Sequence, residues 1–161
     1  MVFIYTLESL HLRMKMKDIR RISVADTYAL RHHILRPHQT VDQCRYPGDS
    51  DDVTAHFGAF DADELVGILS IYNVQSPDIN TPNSWQLRAM ATSENGRGKG
   101  YGFKLLQAAE SYAAQYHAQC IWANARSAVI GFYEKAGYSV VSDEFSIPEI
   151  GPHCLVSKNI G

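Results

Sequence analysis

Apolar positions along this chain follow two rhythms: short runs of β-branched and aromatic residues, and longer stretches with apolar residues three and four apart. The first rhythm predicts strands and the second helices. A strand is expected over 18–24 (DIRRISV). A helix follows over 25–36, with Tyr28, Leu30, Ile34 and Leu35 on its apolar side, Asp26 as its cap and Pro37 as its stop. TAHFGAF (54–60) and LVGILSIYNV (65–74) predict two strands joined by a hairpin at DADE. After a loop rich in Pro, Asn and Ser, WQLRAMAT (85–92) predicts a fourth strand. A long helix is expected from the glycine stretch to about His117, with Phe103, Leu106, Ala109, Ala113 and Tyr116 as its buried face. CIWANA (120–125) predicts a strand, and AVIGFYEKA (128–136) a helix ended by Gly137. YSVVSDEFSI (138–147) and HCLVSKNI (153–160) predict the last strands. Strands alternate with helices in the middle and pair as hairpins at both ends. That pattern implies an α/β fold, one mixed sheet of about seven strands with helices on its faces. Residues 18–161 read as a single domain and 1–17 as an N-terminal extension, and Met14 or Met16 is a candidate start because the pattern begins near Asp18.

The stretch SENGRGKGYGFKLL interrupts these rhythms with Gly96, Gly98, Gly100 and Gly102 between a strand and a helix. Glycine loses more conformational freedom on folding than any other residue, so its repetition needs a cause. A glycine-rich turn at a helix N-terminus presents free backbone N–H groups and the positive end of the helix dipole, a natural seat for phosphate. Arg97 and Lys99 add charge there. The dinucleotide pattern GxGxxG fails, because its last glycine would fall on Tyr101 or Phe103. The P-loop pattern also fails, because Gly100 stands after Gly98-Lys99 where Ser or Thr is required.

Composition narrows the partners. The 161 residues are 45% hydrophobic with a net charge of −2, which suits a globular domain and offers no basic face for nucleic acid. No apolar run approaches the roughly 20 residues that span a bilayer. The first residues place apolar groups before charged ones, the reverse of a signal peptide. Cys44, Cys120 and Cys154 are scattered and odd in number, which points to a reducing, cytoplasmic setting. His32, His33, His38 and Cys44 match no zinc spacing, so no metal is expected. A homodimer is left open.

Arg97-Gly98-Lys99-Gly100-Tyr101-Gly102 matches the pattern (Q/R)xxGx(G/A), and here the chain resembles the GNAT-type N-acetyltransferase superfamily. NARSAVIGFYEKAGY, from Asn124 to Tyr138, resembles the second half of that family's core. LRAMATSENGRG resembles its fourth strand running into the pyrophosphate loop. The resemblance implies acetyl-CoA as co-substrate, with Arg97, Gly98, Lys99, Gly100, Tyr101 and Gly102 gripping its pyrophosphate. Main-chain N–H groups around Met90 and Ala91 would face the thioester oxygen, and the backbone of Met90 and Thr92 would pair with the pantetheine arm. Thr92 departs from the family's usual Val. Asn124 would hydrogen-bond the pantetheine, with a plain strand-end turn as the alternative. Tyr133 would protonate the departing thiolate, against the alternative of a core tyrosine. His153 is the base candidate, against a structural hydrogen-bonded histidine, and Glu94, Asp143, Glu144 and Glu149 are further candidates. The acceptor is an amine of unread identity. Arg36, Arg45, Asp49, Glu144, Glu149 and His153 lie in the segments that would shape its pocket. The same fold with a longer acyl donor, a non-catalytic acyl-CoA-binding regulatory domain and a phosphate-binding module of unrelated fold are the other readings.

Overall fold

A computed structural model describes residues 18–161 of the chain; the expected extension over 1–17 lies outside the described residues. Strand β1 (Asp18–Ile22) leads into helix α1 (Val24–Leu30), which continues as a π-helical turn over Arg31–Leu35. The helix begins earlier than the sequence pattern suggests because Ser23, not Asp26, is its cap. The Ser23 hydroxyl accepts from the Asp26 N–H and the Asp26 carboxylate accepts from the Ser23 N–H, a capping box. Strands β2 (Ala55–Asp61) and β3 (Glu64–Tyr72) form the hairpin, and β4 (Ser84–Thr92) pairs antiparallel with β3. Helix α2 (Tyr101–Gln115) crosses to β5 (Cys120–Arg126), and helix α3 (Ile130–Lys135) follows. The chain closes with β6 (Ser139–Val140), β7 (Phe145–Ile147) and β8 (Gly151–Asn159).

The eight strands make one mixed sheet in the order β1-β2-β3-β4-β5-β8-β6, with β7 also on β8. Among the described strands only β4 and β5 run parallel. The continuous strand expected over 138–147 splits into β6 and β7. Between them the Ser142 hydroxyl accepts the Leu155 N–H at 2.8 Å, so a side chain takes the place of a ladder carbonyl.

Helix α2 buries Tyr101, Leu105, Leu106, Ala109 and Ala113 against Val66, Leu69, Ile71, Trp85 and Ile121 of the sheet. Phe103 and Tyr116, expected on this face, are 38% and 42% exposed. The stripe is displaced because the helix starts at Tyr101, which itself enters the core. Phe103 turns to the helix flank and packs on Phe132 at 4.9 Å between centroids. The opposite sheet face carries Ile68, Ser70 and Tyr72, so β3 is buried on both sides. Over that second face lies a buried polar network. Arg31, 0% exposed, makes a two-pronged bond to Asp49 at 2.8 and 3.0 Å, and Asp49 also accepts from the Tyr72 hydroxyl at 2.6 Å and the Tyr46 N–H at 2.8 Å. It pins the loop after α1 onto the sheet. Asp49 is therefore a structural group and faces no substrate pocket.

Candidate active site

The sheet opens where its only parallel pair parts. β4 and β5 are hydrogen-bonded over Ser84–Gln86 and Cys120–Trp122, and beyond that register they diverge. A bulge drives β4 away. Between Ile68 and Ser70 of β3 the register slips by one residue, and Ala89 sits there in the left-handed region at φ 59°. An alanine in that region costs about 1–2 kcal/mol. A bulge leaves its extra residue out of the ladder and bends the strand, so backbone groups here are free for a ligand. The gap is a cleft of about 650 Å³, walled by Leu87–Thr92 of β4 and Ala123–Arg126 of β5 and bounded by the end of α1.

The sequence candidates separate on this geometry. Met90, Ala91, Thr92, Arg97, Gly102, Asn124, Tyr133 and His153 all line the one cleft, although 63 residues separate Met90 from His153. Gly98, Lys99, Gly100 and Tyr101 do not line it; they form the turn at its rim. Lys99 stands 3.6 Å from Asp61, and the Tyr101 side chain is in the core. The carboxylates of Glu94, Asp143, Glu144 and Glu149 are exposed and none lines the cleft, with Glu144 accepting from the Ser127 hydroxyl instead. Arg45 is exposed and pairs with Asp42.

The four glycines have different causes. Gly98 and Gly100 take φ of 73° and 80°, a conformation glycine adopts without steric cost. Gly96 and Gly102 are there for packing. A Cβ on Gly96 would stand 2.9 Å from both the Val66 carbonyl oxygen and Thr92 Cγ2, and one on Gly102 would stand 3.0 Å from the Phe132 ring. Together they bring the start of α2 close to β3 and α3. Helix α2 has no side-chain cap and no acidic residue in its first turn, so the positive end of its dipole suits an anion. Arg97 sits beside them, held by its Nε bond to the Thr92 carbonyl at 3.3 Å.

Two side chains can handle protons. Tyr133 is buried, edged by Phe132 and Tyr138 at centroid distances of 5.5 and 5.4 Å. Its hydroxyl has no hydrogen-bond partner among the described residues, and burial pushes its ionisation well above the ordinary tyrosine value. It is a phenol that keeps its proton. His153 is also buried, stacked on Phe145 at 6.1 Å, with Nδ1 2.7 Å from the Gly151 carbonyl oxygen. A carbonyl can only accept, so Nδ1 carries the proton in that contact, and in the neutral ring Nε2 is the nitrogen with the lone pair.

Among the lining groups that escape the sequence reading are Ala89, Arg88 and Arg126. Alanine carries no left-handed signal, and the two arginines look like ordinary strand charges. Among the described residues no cluster of three or more His, Cys, Asp or Glu is placed to hold a metal, and no helix is long and apolar enough to cross a membrane.

Comparison with known proteins points the same way. Residues 16–138 match the acetyltransferase (GNAT) family. An uncharacterized N-acetyltransferase of Bacillus subtilis, YitI, is 38% identical over 145 residues, covering 90% of this chain and 97% of that relative. A crystal structure from Lactobacillus plantarum, assigned as an N-acetyltransferase, superposes with a TM-score of 0.72 at 22% identity, covering 89% of this chain and 97% of that one. An aminoglycoside 6′-N-acetyltransferase complexed with coenzyme A gives a TM-score of 0.69 at 16% identity, covering 88% and 96%. At these identities the two structures establish likeness of fold.

Proposed function

Since the chain belongs to the GNAT acetyltransferase family, we propose that it transfers the acetyl group of acetyl-CoA to a primary amine, with Tyr133 as general acid and His153 as general base. The observation that carries this reading is the convergence of a proton-holding phenol, a histidine with a free Nε2 and a bulged strand on one cleft.

The residues suit the coenzyme. Its pyrophosphate would rest on the uncapped N-terminus of α2, on the amides around Gly98 and Gly100, with Arg97 alongside. Its pantetheine arm would run between β4 and β5, against the backbone of Met90 and Thr92 and the side chain of Asn124. When bound, it supplies the acetyl group as an activated thioester.

The chain does the rest. The amine must attack as a neutral nucleophile, and a lysine-type amine has a pKa near about 10.4, so it arrives protonated. His153 Nε2 takes that proton, while the Nδ1–H bond to Gly151 holds the ring in the accepting tautomer. The N–H of Met90, left outside the β3–β4 ladder by the bulge, and that of its neighbour Ala91 stabilise negative charge growing on the carbonyl oxygen. The C–N bond forms as the C–S bond breaks, Tyr133 gives its proton to the sulfur, and the new amide nitrogen releases its second proton to solvent. Proton transfer from His153 to Tyr133 through solvent restores both groups, and the products are an acetamide and a free thiol.

Substituting Tyr133→Phe tests the assignment. Loss of a general acid lowers kcat roughly 10²–10⁴-fold, while the dissociation constant for acetyl-CoA, measured by calorimetry, stays unchanged. Unchanged kcat would remove Tyr133 from the chemistry. Acetyl-CoA binding with no turnover of any amine by the unaltered chain would favour a regulatory acyl-CoA-binding domain.

A further inference from the structure

The acceptor half of the cleft contains arginines that no acidic group among the described residues neutralises. Arg36, Arg88 and Arg126 all line it, and no Asp or Glu does. None of the three makes an ion pair among the described residues, whereas Arg20, Arg31, Arg45, Lys99 and Lys158 all do. The guanidinium carbons of Arg36 and Arg88 lie 5.8 and 4.5 Å from the centre of the Tyr46 ring, which gathers them on one side of the cleft. Arg126 donates to the Leu35 carbonyl at 2.9 Å, next to Arg36 in the chain. The Arg36 Nε–H is shielded from solvent and has no hydrogen-bond partner among the described residues. Burial, and then the charge of Arg36, pull the Arg126 pKa down, as expected for like charges held together without a counter-ion.

Strand geometry separates these arginines from the phosphate seat. Side chains two apart on a strand share a face. Leu87, Ala123 and Ala125 pack in the core under α2, so Arg88 and Arg126 project to the opposite face, toward α1 and Tyr46. The glycine turn feeds α2 and belongs to the first face. The arginines therefore surround the acceptor. Arg126 is directly paired with His153 across β5 and β8. Paired side chains start about 4.5–5.5 Å apart, so a cation stands beside the proposed base. Ile34, Leu35, Ile147 and Ile150 supply the apolar part of the wall.

Resting on the acetyltransferase reading above, we propose that the acceptor is a small amine carrying an oxyanion close to its amino group, as in an α-amino acid, with the oxyanion held by Arg126, Arg88 and Arg36 and the amine delivered to His153. Planar guanidinium forks match carboxylate and phosphate oxygens, and three positive charges repel a polycationic acceptor.

The test pairs amines that differ only in the oxyanion. Thiol release from acetyl-CoA is followed with apolar L-amino acids against their amides, phosphoethanolamine against ethanolamine, and spermidine as a polycation. Calorimetric titration of the same amines into the CoA-saturated chain gives a readout independent of turnover. The expected result is a kcat/KM at least about tenfold higher for the anionic member, with the amino acid and phosphoethanolamine arms telling carboxylate from phosphate. Arg126→Gln and Arg88→Gln should each weaken binding of the anionic amine roughly tenfold to a hundredfold, the worth of a charge-assisted hydrogen bond. Neither should alter acetyl-CoA affinity, which also verifies that the variants fold. Equal use of both members of each pair, preference for amides or spermidine, or an undiminished preference in both variants would overturn the proposal. So would failure of every anionic amine while acetyl-CoA still binds. Failure to bind acetyl-CoA would instead overturn the acetyltransferase reading beneath it.

Discussion

Substituting Asp49→Asn should destabilise the chain far more than loss of a surface ion pair. Arg31 has no exposure to water, and its two terminal nitrogens both bond Asp49. The same carboxylate accepts from Tyr72 and from the Tyr46 N–H, so four donors converge on two oxygens. An amide of the same shape presents one oxygen and one NH2 group. The NH2 would face donors wherever it pointed, and the guanidinium would remain buried without a counter-charge. Breaking a buried pair from one side costs about 3–5 kcal/mol. For a chain of this size each kcal/mol lowers Tm by about 2–4 °C, so the expected fall is roughly 6–20 °C. Urea and thermal unfolding measure it. A loss below about 1 kcal/mol, the range of exposed pairs, would refute the argument that the network is dry. The pH dependence gives a second reading. Burial lifts the Asp49 carboxyl, but hydrogen bonds from Arg31 and Tyr72 outweigh it and hold its pKa below the ordinary value. The unfolded chain then binds the extra proton. This contribution to stability is complete above the unfolded value near about 3.9 and is lost as pH falls through the lower folded value. D49N should flatten the stability profile in that acid window. Because the network fixes the loop bearing Tyr46, the variant's acceptor KM should also rise.

Two pairs of substitutions separate packing from ligand contact. Gly96→Ala forces a Cβ to 2.9 Å from the Val66 carbonyl oxygen and should cost about 1–3 kcal/mol in urea unfolding. Gly98→Ala meets no atom within 4 Å but sits at φ 73°. It should cost only about 1–2 kcal/mol of backbone strain and should weaken acetyl-CoA measurably in calorimetry. Leu105→Ala empties a fully buried position under the sheet and should cost about 2–5 kcal/mol. Phe103→Ala, on the exposed flank, should cost clearly less; equal costs in denaturant titration would contradict the displaced stripe on α2.

The element order was legible because it depends on local signals, whereas the cleft-facing residues from Met90 to Tyr133 were named through motifs that resemble the GNAT family. Hydrophobic spacing marks β2 to β5, the glycine run marks a turn before α2, and Gly137, at φ 95°, ends α3 as a helix-terminating glycine should. What escaped depends on partners distant in sequence. Ala89 takes its left-handed conformation where the register between β4 and β3 slips. Ser142 divides the late strand by reaching Leu155, and Arg31 is buried because Asp49, 18 residues on, meets it. The glycine run was legible as a turn, but the neighbours that exclude a side chain at Gly96 and Gly102 come from β3, β4 and α3. Arg88 and Arg126 carry no distinguishing pattern; their meaning comes from sharing a cleft that holds no acid.

The most direct test of the central claim is calorimetric titration of the unaltered chain with acetyl-CoA, with ATP and NADH as controls. The account predicts selective binding at micromolar concentrations, about −8 kcal/mol. No binding, or equal binding of ATP, would contradict the assignment of the α2 N-terminus and the β4–β5 cleft to the coenzyme.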